Sequence, residues 1–384
     1  MYARKLNLPA LIEKKSHFLF GPRSTGKTTV LLQQLPQATS FNLLERDVFR
    51  SLLKNPSILE SVPQTSITII DEIQKIPTLL DEVHHLIAKD GRRFVLTGSS
   101  ARKLKHGSAN LLAGRAWWAS LFPLISNEIT DFNLFQYLQR GGLPQVYDSE
   151  NYEDELKNYV SLYLREEIKS EALTRNTEAF SQFLDAAGVS NGCEINLQSF
   201  ASDMGVSPNT VKNYFEILED TLLGFHLPPF RKTKKRKAVA RAKHYLFDVG
   251  VANCLKGNTK FEENSDAFGS AFEHFIVAEV RALISYAGDD RKLSYWRSVN
   301  QQEVDLLIGE DIAIKIKSTQ NVTTKHLSGL RALQEEGMFR NYYVVSRDPY
   351  SREIENGIRN VFWKDFLNSR VLIGDFISIE TSDM

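Results

Sequence analysis

The segment Gly21-Pro-Arg-Ser-Thr-Gly-Lys-Thr28 constrains this chain more than any other. It fits the spacing G-x-x-x-x-G-K-[ST] in full. It also stands between an apolar strand-like run, His17–Phe20, and a helical stretch, Thr28–Leu35. Gly21 and Gly26 permit the tight turn that aims successive backbone N–H groups at an anion. Lys27 is long enough to reach β- and γ-phosphates, and the Thr28 hydroxyl is a ligand for Mg²⁺. The helix N-terminus behind the loop adds positive potential. Gly21, Pro22, Arg23, Ser24, Thr25, Gly26, Lys27, Thr28 and Thr29 are therefore the candidate contacts for a nucleoside triphosphate with Mg²⁺.

A second motif sharpens the first. Ile67-Thr-Ile-Ile70 is an apolar strand that ends in Asp71-Glu72. Such a pair also caps a following helix; beside a phosphate loop it reads as the other half of a P-loop NTPase site. Asp71 then joins Thr28 on the metal side, and Glu72 orients and deprotonates the attacking water. A third strand ends in Val95-Leu-Thr-Gly-Ser-Ser100, which offers Thr97 or Ser99 to the γ-phosphate or the water. Turn chemistry accounts for Gly-Ser-Ser equally well. Arg115 is a candidate charge stabiliser, the alternative being a solvated or structural arginine.

Between Ser16 and about Ser126, strand-like runs (Ser66–Ile70, Phe94–Thr97) alternate with helical ones such as Leu79–Ala88. That alternation implies an α/β fold with a parallel sheet. The order of glycine loop, Asp-Glu-Ile-Gln74, Leu-Thr-Gly-Ser99, Leu-Ala-Gly-Arg115 and Gly-Gly-Leu-Pro144 resembles a large family of prokaryotic AAA-type ATPases with a conserved C-terminal domain. The resemblance implies an AAA-like core over residues 1–130, a sensor role for Thr97 or Ser99, and ATP as the nucleotide. No base-reading motif separates ATP from GTP.

After the breaker Arg140-Gly-Gly-Leu-Pro-Gln145 the pattern turns helical. Glu153–Glu171 carries Leu156, Tyr159, Val160, Tyr163 and Leu164 on one face. Phe200–Leu223 reads as helix, Gly205-Val-Ser-Pro208 turn, helix, with Val211, Tyr214, Phe215, Leu218 and Leu222 at core spacing. This resembles a winged helix-turn-helix. Its second helix carries Lys212 against Glu216, Glu219 and Asp220, a poor set for phosphate contact. The run Arg231, Lys232, Lys234, Lys235, Arg236, Lys237, extended by Arg241 and Lys243, is either a solvated linker or a DNA-backbone contact.

The last block pairs a helix over Gly269–Ile284 with strands near Leu293–Arg297, Val304–Ile308, Ile312–Ile316 and Asn341–Val345. Glu273 on the helix, Asp305 on a strand and Lys317 on the next resemble the PD-(D/E)XK nuclease-like core. At position 315 that pattern wants a carboxylate, and this chain has Lys315. Lysine supplies no oxygen to Mg²⁺, so the resemblance implies an inactive fold unless Glu303 or Asp311 substitutes.

The fold expected is thus α/β: a P-loop NTPase (AAA-like) parallel sheet over 1–130, a helical and winged-helix region over 131–230, and an α+β restriction-endonuclease-like domain over 231–384. The function expected is ATP binding and hydrolysis coupled to a DNA- or protein-binding C-terminal half. The alternatives are ATP-regulated DNA binding and metal-dependent cleavage. Composition adds little, because 47 basic residues balance 47 acidic ones and name no partner. Cys193 and Cys254 form no metal-ligand spacing, and no apolar run approaches a membrane span, so the expected location is the cytoplasm.

Overall fold

The computed structural model describes residues 2–99, 112, 114–164 and 177–369. They form two compact units: residues 1–132, 142–181 and 209–224 in one, and 133–141, 182–208 and 225–384 in the other. The middle block read from the sequence as 131–230 is therefore shared between the two units. Its helices follow one another along the chain but belong to different cores.

The first unit is built on a five-stranded sheet in the order β2-β3-β4-β1-β5. The strands are β1 (Ser16–Phe20), β2 (Thr39–Asn42), β3 (Thr68–Asp71), β4 (Phe94–Gly98) and β5 (Ala116–Ser120), and every pairing is parallel. Helices α1 (Leu8–Lys14), α2 (Lys27–Gln34), α3 (Arg46–Lys54) and α4 (Leu79–Asp90) connect or flank them. The central strands β1, β3 and β4 are buried along their whole length, with apolar stretches at Phe18–Phe20, Ile69–Ile70 and Phe94–Leu96. In α4, Leu79, Leu80, Val83 and Leu86 form the buried stripe. Asp81 and Glu82 suit its N-terminal end, Lys89 its C-terminal end, and Gly91 at φ 65° closes it. That stripe packs with Phe18, Phe20, Ile70, Phe94 and Leu96 into one core. Parallel strands bring the loops after β1, β3 and β4 to the same sheet end, which places the three motifs together.

The helix read over Glu153–Glu171 is α-helical at Tyr152–Asn158 and π-helical at Tyr159–Leu164; its remainder lies outside the described residues. Helices Leu197–Met204 and Pro208–Asp220 flank the Gly205–Pro208 turn as read.

In the second unit, β6 (Gly224–Leu227) and β7 (Lys243–Leu246) form a two-stranded sheet. A mixed six-stranded sheet follows: β8 (Leu293–Arg297), β9 (Glu303–Ile308), β10 (Ile312–Lys317), β11 (Asn341–Ser346), β12 (Arg352–Glu355) and β13 (Ile358–Phe362), in the order β12-β13-β11-β10-β9-β8. Strands β8, β9 and β10 run antiparallel, and β10, β11 and β13 parallel. Helix α5 (Asp266–Ala287) starts at the cap Ser265, whose Oγ accepts from Phe268 N, and stops at Gly288 with φ 67°. Helix α6 (Ser328–Gln334) contributes Leu330 and Leu333 to a core with Trp296, Val304, Leu307 and Val344. Among the described residues no helix is long and apolar enough to cross a membrane, and neither cysteine forms a disulfide.

Candidate functional site

The turn after β1 is held by backbone constraint. Gly26 has φ 90°, open to glycine at no steric cost, and a Cβ on Gly21 would overlap the carbonyl oxygen of Leu121. Lys27 is buried at 7% exposure, and its Nζ donates to Gly21 O at 2.7 Å and Pro22 O at 3.0 Å. Thr25 Oγ1 donates to Pro22 O at 2.9 Å. Outside the loop, Arg4 Nη1 donates to Thr25 O at 2.6 Å and Tyr159 OH to Arg23 O at 3.2 Å.

The acidic pair sits against this loop. Thr28 Oγ1 donates to Asp71 Oδ2 at 3.1 Å, while Thr97 Oγ1 donates to Asp71 Oδ1. Asp71 and Thr97 are buried, and Glu72 N in turn donates to Thr97 Oγ1 at 3.3 Å. Asp71 thus holds a residue from each neighbouring motif, one per carboxylate oxygen. Glu72 has a left-handed backbone, φ 62°, which turns it out of the strand. Burial foremost pushes its carboxyl above the usual range. Lys27 opposes that, Asp71 adds to it, and the Gln74 hydrogen bond and Arg23 oppose it.

Gln74, in Asp-Glu-Ile-Gln74, is the near neighbour of Glu72. Its Nε2 donates to Glu72 Oε2, and its Oε1 is buried with no hydrogen-bond partner among the described residues. Gly98 makes room for it, since a Cβ there would lie 2.5 Å from Gln74 Oε1. Ser99 follows β4 at the same end and is buried at 5% exposure.

Arg115 is not brought to this site. It precedes β5, where Ala116 pairs with Ser16 and Ser120 with Phe20. At about 3.3 Å per residue it stands roughly 20 Å down the sheet from Gly21, where the phosphate loop begins. The parallel direction of β5, which the sequence pattern left open, thus places Arg115 away from the phosphate loop of its own chain.

The C-terminal constellation also assembles, with cations in its centre. Asp305 is 2% exposed; its Oδ1 accepts from Lys315 Nζ at 2.7 Å and its Oδ2 from Ile316 N at 2.6 Å. Lys243 Nζ bridges Glu273 Oε1 at 3.0 Å and Glu303 Oε1 at 2.7 Å, and Tyr245 OH donates to Glu273 at 2.8 Å. Burial alone would push the Lys243 ammonium down; Glu273, Tyr245, Asp305 and Glu303 together hold it well above its ordinary value. Lys315 is raised likewise, against burial, foremost by Asp305. Lys317 projects from the same face of β10, half-buried.

Two further expectations are corrected here. Lys243 belongs to this buried cluster and not to an exposed basic run, because β7 carries it inside. Asp311 precedes the far end of β10 and does not stand in for the missing carboxylate, whereas Glu303, bound by Lys243, lies in the cluster itself. Among the described residues no group of three or more His, Cys, Asp or Glu side chains is placed to hold a metal ion.

Two of the six cations in the run Arg231–Lys237 pair with acids of their own unit. Lys232 pairs with Glu310, and Arg236 with Glu335 at 2.6 Å and Glu336 at 3.8 Å. Glu336 also accepts from the backbone N–H groups of Lys234 and Lys235 at 2.8 and 2.9 Å. On the helix Pro208–Asp220, Lys212 pairs with Glu216 at 3.6 Å.

The loop, the acidic pair and the strand-end threonine thus stand in one place. Residues 13–130 match the model of an AAA domain. Residues 131–262 match a domain of unknown function, DUF8612, and residues 268–365 another, DUF4143. The uncharacterized protein Rv2008c of Mycobacterium tuberculosis is 25% identical over 330 residues, which are 82% of this chain and 74% of that protein. The uncharacterized protein Mb2031c of Mycobacterium bovis matches at the same identity and coverage.

Proposed function

We propose that this chain binds ATP with Mg²⁺ at Gly21–Thr28, hydrolyses it with Glu72 as base, and passes the nucleotide state to a DNA- or protein-binding surface in its C-terminal half. The observation that carries the reading is the chain Thr28–Asp71–Thr97 with Glu72 beside it. The glycine-walled loop and the buried Lys27 ammonium suit a polyphosphate, and the AAA-domain match favours ATP. The Thr28 hydroxyl and the Asp71 carboxylate are hard oxygen donors that suit Mg²⁺, whose charge would offset that of the phosphates. A cavity of about 340 Å³ borders the loop at Gly26, Thr29 and Val30, with room for base and ribose.

In this reading Lys27 leaves the loop carbonyls for the β- and γ-phosphates. Glu72 takes the proton of the attacking water as its oxygen bonds to the γ-phosphorus and the bond to the β-phosphate oxygen breaks. Gln74 fixes the other Glu72 oxygen. The helices around Gly205–Pro208 keep the helix–turn–helix order of a winged-helix element although they fall in different units, and β8–β13 with α5 are read as a nuclease-like core that does not cleave. The pairing of Lys212 with Glu216 favours a protein contact over DNA for the helix Pro208–Asp220, while the run Arg231–Lys237 keeps cations open to a DNA backbone. Calorimetric titration with MgATP tests the base of this reading. Wild type is expected to bind, with affinity at least about tenfold weaker in Lys27→Ala. A wild type that does not bind would overturn it.

A further inference from the structure

A loop that turns its N–H groups inward turns its carbonyls outward, and each buried carbonyl then needs a donor. Here Gly21 O and Pro22 O take Lys27 Nζ, Pro22 O also takes Thr25 Oγ1, Thr25 O takes Arg4, and Arg23 O takes Tyr159. These donors differ in one respect. Lys27 must leave when it serves a triphosphate, whereas the other three are not called away. Thr25 belongs to the loop itself. Arg4 is tied as well to Glu128 and to the carbonyl of Phe122. Tyr159 is the donor that comes from the helical segment 152–164.

Two details make the Arg23 carbonyl the place where an outside hold matters. The next residue, Ser24, has φ 62°, a left-handed backbone without the freedom of glycine. Tyr159 itself stands where the α-helical turns of Tyr152–Asn158 give way to the π-helical Tyr159–Leu164. Such wide turns re-aim a side chain and recur at functional sites. The ring is 5% exposed, so its hydroxyl is delivered by packing.

We propose that Tyr159 is a positioning residue of the phosphate loop: its hydroxyl keeps the Arg23 carbonyl turned outward, so that the loop holds a triphosphate-ready shape when Lys27 leaves. This rests on the reading of the loop as a triphosphate site. Tyr159→Phe keeps the ring and removes the hydrogen bond. The effect falls on the cradle, so binding of MgATP and of inorganic tripolyphosphate is expected to weaken in parallel, by about three- to tenfold. KM for ATP should rise with it, while kcat stays within about twofold and the melting temperature falls by no more than about 3 °C.

Affinities of Tyr159→Phe within twofold of wild type for both ligands would overturn the proposal. So would weakened binding accompanied by a larger fall in melting temperature, which marks a packing role. Lys27→Ala serves as the reference for a lost phosphate contact. A wild type that binds neither ligand removes the triphosphate reading and this proposal with it; a wild type that binds both while Tyr159→Phe is silent removes this proposal alone.

Discussion

Thr28 and Asp71, 43 residues apart in sequence, are joined by a hydrogen bond in which Oγ1 donates to Oδ2 at 3.1 Å. Because Thr97 holds the other oxygen, the carboxylate is oriented before any ligand arrives. Asp71→Asn keeps the size and removes the charge. Its ATP affinity is expected to fall about tenfold with Mg²⁺ and to change little with EDTA, where no ion is to be held. Paired titrations with and without the metal check this; equal losses in both would remove Asp71 from the metal side.

With Glu72 as its base, the proposed hydrolysis would depend on pH in one direction. A base must be ionised, and burial foremost holds this carboxyl above the usual range, with Asp71 adding to the rise. The rate kcat/KM should therefore fall as pH drops through a value higher than an ordinary glutamate's. Gln74→Leu removes a donor that favours the ionised form, so the acid limb should move to higher pH. A pH–rate profile of both proteins reads the shift.

The same raised value carries a stability sign. The folded state holds this proton more tightly than the unfolded chain, so the contribution is present at low pH and lost as pH rises through the folded value. At pH 7–8 Glu72→Gln should melt slightly higher than wild type, by about 1–3 °C. Scanning calorimetry at pH 4 and pH 8 tests this, the gain being smaller at pH 4.

Gly98→Ala separates catalysis from binding. Its Cβ would meet Gln74 Oε1 at 2.5 Å and the Phe20 ring at 3.1 Å, and the flexible amide is what gives way. Gln74 then lets go of Glu72. The expected outcome is a kcat lower by about tenfold, the scale of one lost orienting contact, with ATP affinity nearly unchanged.

In the C-terminal cluster, Lys243→Met leaves Glu273 and Glu303 without their shared cation. Removing one partner of a buried pair costs about 3–5 kcal/mol. Urea unfolding should show that loss, and Glu273→Gln with Glu303→Gln in the same chain should recover part of it. Recovery absent in the triple variant would place the effect in packing of the lysine stem.

Much of the first unit was legible in the sequence because its motifs are local. Gly21–Thr28 is contiguous, and Asp71-Glu72 and Thr97 each end an apolar run, so parallel topology alone brings them together. What escaped depends on contacts across long separations. Strand β5 hides in Ala116-Trp-Trp-Ala-Ser120, where Trp117 and Trp118 lie half exposed at a sheet edge and break the buried-strand pattern. Its direction, which decides the place of Arg115, is a property of pairing with β1. The sequence places Tyr159 only on a helical face, and its hydroxyl partner is a backbone carbonyl that leaves no trace in sequence. Lys243 looked like one more cation in a basic run because charge runs say nothing about which member turns inward. Lys315 was different: the departure itself signalled that a cation had entered an acidic site.

The central claim is that Glu72 turns a nucleotide-binding loop into a hydrolase, and steady-state phosphate release from MgATP tests it most directly. Wild type is expected to turn over, and Glu72→Gln to bind ATP as tightly while losing about 10²–10⁴-fold in rate. A wild type that releases no more phosphate than Lys27→Ala, or a Glu72→Gln protein that turns over like wild type, would contradict it.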